Sequence, residues 1–153
     1  MKFIFSLFLC LSLSACAMQP KQQELPIKNE SEFSTIDLHK IANEAYDRSD
    51  WEESEKYYVK LVNLVPDLPL YWYRLGNIYT YTNRIDDAVI AYRQAITLAP
   101  KDADIWLNLG LAHMKQATKS FNAMENNVES NNPSSIMGKK LLDEILNILE
   151  KSQ

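Results

Sequence analysis

An all-α fold, a short solenoid of stacked helical hairpins, is predicted for this chain of 153 residues by three observations. Residues recur at an interval of 34: Trp72 returns as Trp106, Leu75 as Leu109 and Gly76 as Gly110. Pro66 and Pro100 stand at the same interval, each after an apolar run, "YYVKLVNLV" and "AYRQAITLA", that a proline would stop. Within each interval the apolar residues fall at helical rather than alternating spacing.

The first residues are set apart from that repeat. "MKFIFSLFLCLSLSAC" has one lysine, an unbroken apolar run and then small residues, the order of a secretory signal peptide. The run is too short to span a bilayer as a permanent helix. Leu13-Ser14-Ala15-Cys16 resembles the bacterial lipobox. That resemblance implies that residues 1–15 are removed and that Cys16 carries acyl chains, palmitate among them, which hold the protein on a membrane. Ala17, where an aspartate would signal retention, implies by the same resemblance the outer membrane, with the domain on its periplasmic face. Cys10 would leave with the signal peptide, so neither a disulfide, a cysteine zinc site nor a cysteine nucleophile is expected. Residues 16–34 are polar, carry Pro20 and Pro26, and read as a flexible tether.

Residues 35–151 form the expected domain. In the first unit, 35–68, Leu38, Ile41, Ala42, Ala45, Ser54, Tyr58, Leu61 and Pro66 hold the repeated positions. In the second, 69–102, Trp72, Leu75, Gly76 and Tyr79 make one helical stripe; Ala88, Tyr92 and Ala95 make another after a break at Thr82-Asn83-Arg84. W-x2-L-G-x2-Y, then A-x3-Y-x2-A, then P, resembles the tetratricopeptide repeat signature, which implies two antiparallel helices per unit and about three repeats. Small residues suit the places where two helix backbones approach, and Ala42, Gly76 and Gly110 are expected to meet that need.

The third unit, 103–136, is degenerate. His113 stands where Tyr79 stood, and Asn122 and Asn126 replace the alanine and aromatic of a second helix. Leu111, Met114, Ala117, Phe121, Met124 and Val128 instead continue one apolar stripe, predicting a single helix to about Val128. "ESNNPSS" breaks it, and a last amphipathic helix follows over 134–151. Its face of Leu141, Leu142, Ile145 and Leu149 serves either as the cap of the solenoid or as a docking surface for another protein.

No catalytic constellation is expected. Asp86 and Asp87 open a helix, where carboxylates meet the helix dipole favourably. His39 and His113 have no partner at metal-ligand spacing, so neither metal nor cofactor is expected. The formal net charge is −4 with the basic residues scattered, which excludes the basic footprint of a nucleic-acid binder. The repeat resemblance implies a concave groove lined by the second, fifth, sixth, ninth, twelfth and thirteenth residues of each unit. Here these include His39, Asn43 and Asp47, then Tyr73, Arg74, Asn77 and Tyr81, then Leu107, Asn108, Leu111 and Lys115. Amides repeated at Asn43 and Asn77 suit an extended peptide backbone, and the tyrosines offer flat apolar area. Asn77 and Asn108 match two places of the family's carboxylate clamp, but Tyr73 stands where its lysine would be; alternatively, both amides bond between neighbouring helices.

The whole layout resembles small tetratricopeptide lipoproteins of Tad-type and type IV pilus systems. It implies a non-enzymatic, lipid-anchored adaptor that binds a protein or peptide partner and no small-molecule substrate. The alternative is an adaptor that recruits or regulates peptidoglycan hydrolases or proteases at the envelope.

Overall fold

The computed structural model describes residues 33–152. Cys16, the expected signal peptide and nearly all of the expected tether lie outside the described residues. Six helices follow one another, α1 (Thr35–Asp47), α2 (Trp51–Leu64), α3 (Pro69–Tyr81), α4 (Ile85–Leu98), α5 (Ala103–Asn127) and α6 (Pro133–Lys151), with no strand among the described residues. Each packs on its neighbours in sequence, most extensively α1 on α2 and α3 on α4.

Local chemistry sets the helix ends. Ser34 caps α1 in a reciprocal box with Asp37, the Asp37 N–H donating to Ser34 Oγ at 3.2 Å and the Ser34 N–H to Asp37 Oδ2 at 3.1 Å. Asp50 caps α2, Asp102 caps α5 and Asn132 caps α6 through side-chain oxygens. α4 has no such cap; Asp86 and Asp87 in its first turn supply the compensating charge. Each of the first two hairpins turns through one left-handed residue, Ser49 at φ 59° and Asn83 at φ 60°. In both, the N–H of that residue and of the one after it reach back to helix carbonyls, Ser49 to Tyr46 and Asp50 to Ala45 at 2.9 Å, Asn83 to Thr80 at 3.3 Å and Arg84 to Tyr79 at 2.7 Å. Ala117 holds the equivalent place in the third unit. Alanine is a strong helix former and disfavours the left-handed conformation, so α5 runs through and spans 25 residues.

Repeated contacts hold the hairpins together. Trp72 Nε1 donates to the Pro66 carbonyl at 2.8 Å, and Trp106 Nε1 to the Pro100 carbonyl at 3.0 Å, so each indole ties a helix start to the proline that ended its predecessor. Tyr58 and Tyr92, one per second helix, are among the largest fully buried side chains. Their hydroxyls donate to Asn43 Oδ1 at 3.5 Å and Asn77 Oδ1 at 2.8 Å. Between the first two hairpins, Arg84 binds both oxygens of Glu55 at 2.7 and 2.9 Å and lies 4.3 Å over the Tyr79 ring. Two apolar clusters result, and Trp72 and Tyr79 pack against both.

The equivalence of Gly76 and Gly110 fails in space. At Gly76 an added Cβ would overlap the Tyr92 ring, whereas at Gly110 it would meet nothing within 4 Å. The expected close approach at Gly110 is therefore corrected: no second helix lies against it. α6 begins against the far half of α5, where Gly138 faces Met124 and Phe121, and ends with Leu149 beside Lys115, Thr118 and Asn122. It caps the distal half of α5 and leaves the proximal face open.

One substitution at two equivalent positions should therefore change sign. Gly76→Ala should destabilise the protein by about 1–3 kcal/mol through overpacking on Tyr92. Gly110→Ala should stabilise it by up to about 1 kcal/mol through helix propensity alone. Urea unfolding of both variants measures the difference; shifts of the same sign would contradict the packing.

Candidate binding groove

α3 presents its middle and end, and α5 its first half, to one side of the solenoid, and the end of α6 closes that side. Tyr73, Arg74, Asn77, Thr80 and Tyr81 of α3, Asn108, Leu111 and Lys115 of α5, and Leu149 and Ser152 of or just past α6 line a cavity of about 790 Å³, with Tyr46 and Tyr92 completing its wall. Seven of the eleven groove residues expected from the sequence thus come together: Tyr73, Arg74, Asn77, Tyr81, Asn108, Leu111 and Lys115.

The other four, His39, Asn43, Asp47 and Leu107, do not line this cavity. His39 packs its ring on Tyr71 with centroids 5.6 Å apart, and Asn43 accepts the Tyr58 hydroxyl. Leu107 is exposed away from the cavity. The first unit contributes only Tyr46, because the cavity sits toward the third unit, where α6 supplies its remaining wall.

Aromatic faces form one end of the groove. Tyr81, exposed at its rim, stacks on Trp51 with centroids 4.5 Å apart and planes 7° from parallel. Trp51 meets Tyr46 edge-on at 5.4 Å, and the Arg74 guanidinium lies 4.4 Å over the Tyr46 ring. Ring faces attract that cation, and its Nε is buried with no protein acceptor. Among the described residues the lining holds two cations, Arg74 and Lys115, and no carboxylate.

The amides behave differently from the first expectation. Asn77 Oδ1 is engaged by the Tyr92 hydroxyl at 2.8 Å and by Asn108 Nδ2 at 3.4 Å. Asn108 Nδ2 also donates to the Tyr73 hydroxyl at 3.0 Å. These groups knit α3, α4 and α5 together, so the Asn77 carbonyl is a structural acceptor rather than a free one. The inter-helix alternative read from the sequence describes it better.

Sequence reasoning named neither Tyr46 nor Thr80. Both sit at the twelfth place of their units, so the groove rule contained the signal. Leu149 and Ser152 carried no signal, since their place depends on how α6 lies against α5.

Two consequences can be measured. Asn77→Ala should lower stability by about 1 kcal/mol, the usual loss for a part-buried hydrogen bond. A double-mutant cycle with Tyr92→Phe should show coupling, and additive losses would contradict the bond. Burial also pushes the Tyr58 phenol up to about 12, against the lowering effect of Arg74, and raises Tyr92 further, against the Thr80 hydrogen bond. An unfolded tyrosine ionises near 10.0, so the stability these phenols contribute is intact below that pH and lost as pH rises from it through about 12. Tyrosinate absorbance should therefore appear together with loss of helicity in alkali. Full ionisation without unfolding would contradict their burial.

A family model described as TPR repeat matches residues 76–116. The match begins at the glycine beneath Tyr92 and stops one residue before Ala117, where the third turn is missing. No curated protein is significantly similar to the chain. Tetratricopeptide repeats are protein–protein interaction scaffolds, generally without catalysis of their own. The chain contains a tetratricopeptide repeat, and its fold is an all-α tetratricopeptide helical solenoid.

Proposed function

We propose that the protein is a membrane-tethered adaptor whose groove holds an extended, anionic peptide segment of a protein in envelope assembly machinery, such as pilus or secretion-system biogenesis. The observation that carries the binding mode is the groove's composition: tyrosine faces for side chains, the Asn108 amide, and Arg74 and Lys115 with no carboxylate among the described lining residues. Aromatic area supplies contact energy, and like-signed charge selects an acidic segment and speeds its encounter. The tether rests on the Leu13-Ser14-Ala15-Cys16 resemblance. By its sorting rule the domain would face the periplasm from the outer membrane.

Anchoring and binding are tested separately. Cells expressing the protein with Cys16→Ser should incorporate no labelled palmitate into it; continued labelling would refute lipidation at that residue. For the groove, purified protein is titrated with acidic and basic peptides of equal length. Acidic peptides should bind more tightly, with affinity falling as salt is added. Tyr73→Ala should weaken that binding about tenfold, as loss of an aromatic anchor does, and Lys115→Ala should weaken it less while flattening the salt dependence. Equal affinity for both peptide charges would contradict the proposal.

A further inference from the structure

On the opposite side from the groove, α4 and α5 leave a second depression of about 530 Å³, lined by Arg93, Ile96, Thr97, Trp106, Leu109, Gly110 and His113. One repeat earlier the corresponding space is filled. There α4 lies along α3, buries Ala88, Tyr92 and Ala95, and seats the Tyr92 ring on Gly76. The later site keeps the receiving half of that interface: the Trp106–Pro100 tie, a buried Leu109 and a glycine with open space above it. It has lost the incoming half. Leu111 and Asn126 replace the asparagine and tyrosine that bond in the first two hairpins, and Trp106 is 51% exposed where Trp72 is half-buried.

We infer that this face docks an amphipathic helix of a partner protein, which completes the third hairpin in trans with a small-x3-aromatic-x2-small pattern and its aromatic ring on Gly110. The occupant follows from continuity with the α3–α4 interface, whose receiving surface is repeated here. Arg93, with no carboxylate among the described lining residues, favours acidic residues along the helix flanks. The chain's own last helix is engaged elsewhere, through Gly138 on Phe121 and Met124. A second copy fits poorly, because the exposed stripe of α6, with Met137, Leu141 and Ile148, offers no aromatic ring.

The probe is a synthetic peptide of the Ile85–Leu98 sequence. A helix of this length is marginal alone, so it is crosslinked between the positions of Ile90 and Gln94, both exposed on α4. Fluorescence polarisation of the labelled peptide against the full chain should show saturable binding. Alanine for tyrosine in the peptide, or Gly110→Leu in the protein, should each weaken it by at least about tenfold, equivalent to about 1.4 kcal/mol. Gly110→Leu fills space that is empty in the free protein, so its thermal melt should be unchanged or raised, separating lost binding from lost fold. Lys115→Ala, in the groove, should leave this binding unchanged, so failure here and failure of the groove proposal are distinguishable. Absent binding, binding indifferent to Gly110→Leu, or self-association of the protein that Gly110→Leu abolishes would each overturn the inference.

Discussion

The contact on which the structure turns is the Tyr92 ring lying on Gly76. A glycine on the first helix lets an aromatic ring of the second approach its backbone, and the ring then fills the space between the two helices. Its hydroxyl bonds to Asn77 and Thr80 of α3, so one side chain sets the separation of α3 and α4 and satisfies the polar groups that their closeness would strand. The first hairpin uses the same device with Tyr58, Asn43 and a small Ala42, whose carbonyl accepts the buried Ser54 hydroxyl at 3.0 Å. Trp72 and Tyr79 then join the two hairpins by packing into both cores.

Both surfaces of functional interest follow from where that contact is present and where it stops. Tyr92 places Asn77, Asn77 orients Asn108, and Asn108 holds Tyr73, so the groove wall is an extension of the hairpin core. In the third unit the ring, its asparagine and the left-handed turn residue are missing together. α5 continues past Ala117, and the final helix packs on the extension, bringing Leu149 and Ser152 to the groove on one side and leaving Gly110 uncovered on the other.

Much of this was legible in the letters because it is local. The turn at Thr82-Asn83-Arg84, the stops before Pro66 and Pro100, and the uninterrupted helix to the neighbourhood of Val128 all follow from residues acting on their own backbone. What was not legible depends on partners distant in sequence. Gly110 has the letter of its consensus place, but a glycine only permits a close approach; the ring that would use it must come from elsewhere. Asn77 reads as a groove amide until the Tyr92 hydroxyl is found on it. The path of α6 depends on Gly138 meeting Phe121 and Met124, a match of shapes that periodicity does not record.

The account stands on α5 being one helix in place of a third hairpin, and the distance between its ends tests that directly. Spin labels at Asp104 and Glu125, both exposed, in a chain with Cys10 and Cys16 replaced by serine, report the separation by pulsed electron resonance. A continuous helix places the two backbones about 31 Å apart at 1.5 Å per residue. A hairpin closed at Ala117 would bring the two helices to about 10 Å, and a distance in that range would contradict the open third repeat and the surfaces that depend on it.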